Sequence, residues 1–150
     1  MESLEFYGLP ILTRVGDNFL YDCRNLKSVN FRGLSNLYKV GNNCLSECTS
    51  IENIDLTGLS SLNKVGSNWL SSCDNLTNVD FTGLTNLSIV QNNWLDACDS
   101  LEIIDFTGLN NLIIVGDAWL YNCKKLNNVN FNGLNNLIIV GYYWLVNVIN

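Results

Sequence analysis

Six cysteines, fourteen carboxylates and no histidine set the chemistry open to this 150-residue chain. Without His, neither a Ser-His-Asp triad nor a Cys-His pair can be assembled. Five cysteines recur every 25 residues, at Cys23, Cys48, Cys73, Cys98 and Cys123, and Cys44 stands apart from them. No C-x-x-C pair exists, and Cys44 with Cys48 supplies only two ligands, so zinc finds no complete ligand set. Disulfides are not forbidden by geometry. Units stacked at the strand spacing of about 4.8 Å would put neighbouring cysteines within the roughly 4.4–6.8 Å Cα separation a disulfide needs. The column nevertheless reads as a buried, reduced filler, because Val148 takes its place in the last copy and a free Cys packs as a small hydrophobe.

The spacing of the cysteines is the spacing of everything else. GLSNL, GLSSL, GLTNL, GLNNL and GLNNL begin at Gly33, Gly58, Gly83, Gly108 and Gly133, with a diverged GLPIL at Gly8. The chain therefore divides into six 25-residue units, 1–25, 26–50, 51–75, 76–100, 101–125 and 126–150, and the period predicts one solenoid domain. Numbered within the unit, position 4 carries Val29, Ile54, Val79, Ile104 and Val129. Position 6 carries Phe31, Leu56, Phe81, Phe106 and Phe131. Apolar residues two apart, with polar neighbours, predict a strand with one buried face. One strand per coil, stacked on its neighbours, predicts a single parallel sheet. Leu at 9 and 12 and Val at 15 carry the buried row onward, with room for a second short extended segment. Asp17, Asn42, Ser67, Asn92 and Asp117 then sit where an N-cap belongs. Apolar positions 19, 20 and 23 follow at helical spacing, which predicts a short helical turn in each coil. Position 19 includes Trp69, Trp94, Trp119 and Trp144. The first three are expected to stack in the core. The fold class is thus an α/β solenoid.

The frame L-x-x-V-x-F-x-G-L-x-x-L-x-x-V-G-x-x-W-L-x-x-C resembles a leucine-rich repeat. It is most similar to the cysteine-ended class of BspA-like surface proteins of bacteria and protists, with related copies in giant viruses. Gly-Leu stands here where that class has Pro, and Trp-Leu where it has Ala-Phe. The resemblance covers all six copies. It implies a binding or adhesive solenoid with no catalytic residues and no cofactor.

In such a solenoid the outward strand positions are where a partner would sit. Position 5 includes Asn30, Asp55, Asp80 and Asp105, and position 7 includes Arg32, Thr57, Thr82 and Thr107. Stacked, the three aspartates would form a column of like charge. Each neighbouring pair about 5 Å apart would repel by roughly 1 kcal/mol even at the dielectric of water. Two explanations stay open: a stripe for a basic protein partner or a cation, or aspartates that cap local backbone and pair with Thr hydroxyls. A net charge of −6 argues against nucleic acid. The carboxylates otherwise recur at equivalent strand positions and no phosphate-cradling glycine loop exists, so the chain is expected not to be an enzyme.

A second surface is apolar. Positions 13 and 14 are polar early, as in Thr13 with Arg14, and turn apolar late: Ile113 with Ile114, then Ile138 with Ile139. Tyr142, Tyr143, Val146, Val148 and Ile149 follow, and residues 141–150 carry no charge. Terminal repeats ordinarily present a polar cap. This end predicts either self-association, most simply a two-fold homodimer, or continuation into a longer array. No run approaches the 18 apolar residues of a membrane span. The start, MESLEFYGLPILTRV, shows no basic n-region or continuous apolar stretch, so no secretory signal is read. That favours an intracellular setting, while the resemblance allows a cell-surface one.

Overall fold

The computed structural model describes residues 2–148. Each 25-residue unit forms one coil with two short extended segments. The first segment, at positions 3–5, gives β1 (Ser3–Glu5), β3 (Ser28–Asn30), β5 (Asn53–Asp55), β8 (Ile103–Asp105) and β10 (Asn128–Asn130). The second, at positions 14–15, gives β2 (Arg14–Val15), β4 (Lys39–Val40), β6 (Lys64–Val65), β7 (Ile89–Val90), β9 (Ile114–Val115) and β11 (Ile139–Val140). All pairings are parallel and join residues 25 apart, as in Val29 with Ile54 and Val90 with Val115.

The expected single sheet of first segments is not what forms. The sheet that runs unbroken through all six coils is built from the second segments, in the order β11-β9-β7-β6-β4-β2. The first segments make a three-stranded sheet, β1-β3-β5, and a two-stranded one, β10-β8. Between them the fourth coil contributes only the bridge from Asp80 to Asp105. The strand face is therefore open between Asp55 and Asp80.

The expected helical turn is also absent, as no helix occurs among the described residues. Positions 18, 20 and 22 of every coil have positive φ, between 53 and 62°, as in Asn68, Leu70 and Ser72. Residues between them do not, so the peptide planes alternate. The N–H groups of positions 18 and 22 reach carbonyls of the next coil, as in Asn68 to Asn92 and Ser72 to Asp96. The N–H of position 20 reaches back, as in Leu70 to Cys44. A single helical turn would leave most of its backbone groups without partners. The alternating path satisfies them against both neighbours, which offsets the cost of placing leucine in the left-handed region. The residues expected as N-caps serve the stack instead. Asp17, Asn42, Asn92 and Asp117 each accept the position-17 N–H of the following coil through Oδ1, at 2.7–3.0 Å.

The core is a set of columns. Val29, Val79 and Ile104 are buried beneath the strand face, as are Phe31, Phe81 and Phe106. Trp69, Trp94 and Trp119 are buried and stack as expected, with ring centroids 5.8 and 5.5 Å apart and planes within 8° of parallel. The indole N–H groups of Trp94 and Trp119 have no hydrogen-bond partner. Each buried thiol in the column donates to the position-20 carbonyl of the coil before it, as Cys73 does to Leu45 at 3.2 Å. Glycine at position 8 is required by close approach. A Cβ on Gly83 would lie 2.5 Å from the Cα of Thr57 and 2.6 Å from the Leu56 carbonyl oxygen.

Candidate functional site

The eight polar residues expected on the strand face all lie there, on β3 and β5, the fourth coil and β8, and on the turns that follow them. Register aligns Asn30 with Asp55 and Asp80 with Asp105. No strand pairing joins Asp55 to Asp80, so the hydrogen-bonded ladder is interrupted within the aspartate column. Each position-5 side chain also has local work. Asp55 Oδ1 accepts the backbone N–H and hydroxyl of Thr57 at 3.0 and 2.5 Å. Asp80 accepts the same two donors of Thr82 at 2.9 and 2.7 Å. Asp105 accepts the Thr107 N–H at 2.8 Å, and Asn30 accepts the Arg32 N–H at 2.9 Å. These are Asx turns that carry the chain out of the strand, so backbone capping with Thr pairing explains the aspartates as structural elements.

The turns use one carboxylate oxygen and leave the other outward. Asp55 Oδ2 pairs with Arg32 Nε of the preceding coil at 2.9 Å. The Thr57 hydroxyl and N–H, with Arg32, hold the Asp55 carboxyl below the usual carboxylate range. The Thr107 hydroxyl and N–H do the same for Asp105. Both are anionic at neutral pH, and the face carries negative charge that the turns alone do not need.

Two shallow grooves lie on the strand face, and the first of them crosses the opening in the ladder. One of about 380 Å3 spans the first four coils and is lined by Glu5, Asn30, Glu52 and Asp55 on one side and Thr77, Asn78 and Asp80 on the other. The second, about 320 Å3, runs across Asp80, Thr82, Asp105 and Thr107. Asn53, Thr77 and Asn78 were missing from the expected site. For Asn53 and Asn78 the signal was available, because position 3 faces the same side as position 5 in a period-2 segment; Thr77, at position 2, is not reached by that argument.

The apolar surface is where the spacing places it. Ile138, Ile139, Tyr142 and Tyr143 are exposed, Ile113 is just exposed and Ile114 is half-buried. Phe131 and Trp144 join them at the open end, and Ile149 lies outside the described residues.

The five buried thiols offer no ready nucleophile. Burial pushes Cys48 up to about 11 and Cys123 up to about 12, and raises Cys44, Cys73 and Cys98 as well. The reactive thiolate is thus scarce at neutral pH. Among the described residues no group of three or more Cys, Asp or Glu side chains is placed to hold a metal ion. Among the described residues no helix is long and apolar enough to cross a membrane.

The comparisons with known proteins agree with the coil geometry. Two solved structures share the fold at low sequence identity. One is a leucine rich cell surface protein from Faecalibacterium prausnitzii A2-165, 18% identical, with a TM-score of 0.68, matched over 87% of this chain and 35% of its own. The other is a leucine rich repeat protein of T. pallidum, 18% identical, with a TM-score of 0.55, matched over 91% of this chain and 78% of its own. The chain thus spans about a third of the Faecalibacterium protein's length. No curated protein matches. Residues 10–148 match the BspA type leucine rich repeat region in six copies. With the period, the cysteine column and the parallel coils all in register, the chain belongs to the BspA-type leucine-rich repeat family.

Proposed function

We propose that this chain is a non-catalytic scaffold that binds a protein partner along its strand face. One observation carries the reading: the strand ladder opens between Asp55 and Asp80, and the groove across it is lined by Glu5, Glu52, Asp55 and Asp80. Open strand edges offer main-chain hydrogen bonds to an extended segment. The charge of Glu5, Glu52, Asp55, Asp80 and Asp105 selects a segment bearing Lys or Arg and speeds its encounter. Asn30, Arg32, Thr57, Thr82 and Thr107 frame the contact. Selection of a displayed random-peptide library on the immobilised chain tests this. Basic, extended peptides are expected, with binding lost in Asp80→Lys/Asp105→Lys and kept in Tyr143→Lys. Peptides insensitive to the strand-face change contradict it.

A second reading, a structural component that associates through its last coil, is favoured by the exposure of Ile138, Ile139, Tyr142, Tyr143 and Trp144 on a coil with no charged residue from 126 to 150. Ile113 and Ile114 extend that surface. Large exposed apolar patches mark interfaces. Concentration-dependent sedimentation, abolished by Ile139→Lys/Tyr143→Lys, is its expected signature. A monomer at tens of micromolar excludes it. The likeness to a cell surface protein of Faecalibacterium supports a surface setting over an intracellular one. Protease shaving of intact cells tests that setting.

A further inference from the structure

On the side of the solenoid formed by positions 17–22, an amide ladder runs up the coils. Asn43, Asn68 and Asn93 each donate Nδ2 to the Oδ1 of the asparagine one coil earlier, at 2.6–2.8 Å. Beside it, Ser46 and Ser71 share a hydrogen bond at 2.8 Å. The two columns break one coil apart, the serine column in the fourth coil and the ladder in the fifth. Ala118 stands where the next ladder asparagine would be, and Asp96 stands where the next serine would be. The alanine is costly in its own right, because Ala118 has a φ of 56°, a conformation that asparagine adopts more readily. The backbone would accommodate Asn there better than Ala, and the chain forgoes both that preference and the ladder bond.

The missing side chain leaves a pocket of about 280 Å3, lined by Asn93, Asp96, Ala118, Tyr121 and Tyr143. Asn93 Oδ1 faces a coil that offers it no amide donor. Asp96 Oδ1 is buried without any hydrogen-bond partner. Two tyrosine rings complete the lining. An amide oxygen, a carboxylate with one unpartnered oxygen and aromatic rings together suit a cation that brings only N–H groups. We propose that this pocket binds a cationic amine or guanidinium head group, the end of a Lys or Arg side chain or of a free small molecule carrying one. Burial holds the Asp96 carboxyl above the usual range, as expected of a charge whose counterion is not supplied by the fold. The site lies away from the strand face and stands independently of the function proposed there.

The test is a 1H–15N NMR titration with N-acetyl-lysine methylamide, N-acetyl-arginine methylamide and, as a neutral control, N-acetyl-glutamine methylamide. Saturable shifts at the amides of residues 93, 96, 118, 121 and 143 are expected with one or both cations and not with the control. The preferred cation identifies the head group. Ala118→Asn fills the pocket and extends the ladder, and is expected to abolish the shifts. Asp96→Asn keeps the shape, removes the charge, and is expected to weaken binding about tenfold, the scale of one charge-assisted hydrogen bond. Equal affinity in both variants, equal response to the neutral control, or no saturable shifts at these residues would overturn the assignment. If Ala118→Asn does not fold, Asp96→Asn alone decides it.

Discussion

The thiol of Cys98 donates to the carbonyl oxygen of Leu70, 28 residues earlier, at 3.1 Å. Leu70 has a positive φ of 58°, and its carbonyl is buried under the next coil. The cysteine column thus acts as a row of donors as well as of small apolar fillers, matched to carbonyls that the alternating backbone turns inward. Cys98→Val keeps the volume and removes the donor. It is expected to cost about 1–3 kcal/mol, the range for a buried acceptor left without a partner. Cys98→Ser retains a donor and is expected to cost less. Urea denaturation of the two variants checks the order, and equal losses would mean that the column is packing alone.

Accessibility separates the same cysteines. Cys23 is half-buried, while Cys44, Cys48, Cys73, Cys98 and Cys123 are buried. Alkylation of the native chain with iodoacetamide, read peptide by peptide in a mass spectrometer, is expected to modify Cys23 first. The other five are expected to react at the rate of unfolding.

The tryptophan stack gives a graded series. Trp94 is fully buried between Trp69 and Trp119, and Trp144 is 44% exposed at the open end. Trp94→Ala is expected to cost about 3–5 kcal/mol. Trp144→Ala is expected to cost about 1 kcal/mol, since less area leaves water there. Equal losses would mean that the last coil is covered in solution.

Glycine at position 16 offers a paired test of stacking. A Cβ on Gly66 would lie 2.6 Å from the Asn42 backbone nitrogen, whereas one on Gly16 meets nothing within 4 Å. Gly66→Ala is therefore expected to cost about 1–3 kcal/mol through overpacking. Gly16→Ala is expected to be neutral or to stabilise by about 0.5 kcal/mol through the unfolded chain. Thermal unfolding of both variants reads the difference directly.

Acid acts on Asp55 with a definite sign. Its folded pKa is lowered from 3.8 by Thr57 and Arg32. The stability it contributes is present above 3.8 and is lost as the pH falls through the depressed folded value. The gap in urea midpoint between the unmodified chain and Asp55→Asn is expected to be full at pH 6 and to narrow below 3.8. A gap independent of pH would remove the Thr57 contact from the account.

The period, the buried face and the stacked tryptophans were legible because each rests on residue types repeated every 25 positions. Val29, Phe31 and Trp94 can lie nowhere but inside. The 17–22 segment was not legible. Leucine at 20 hides a left-handed position, since bulky residues rarely adopt it, and the spacing of Trp94, Leu95 and Cys98 mimics a helical turn. Asparagine at 18 in four of six coils was the available sign of positive φ. The opening between Asp55 and Asp80 left no sign in composition, because it depends on how two neighbouring coils meet. The pocket at Ala118 was signalled only by two columns breaking in adjacent coils, which a template that averages the repeats conceals.

The central claim is that the open strand face holds the partner. Hydrogen–deuterium exchange of the chain with and without a selected peptide tests it most directly. New protection confined to segments 52–55, 77–80 and 102–105 is the predicted result. Protection confined to residues 138–148, with the strand face exchanging as before, would contradict it.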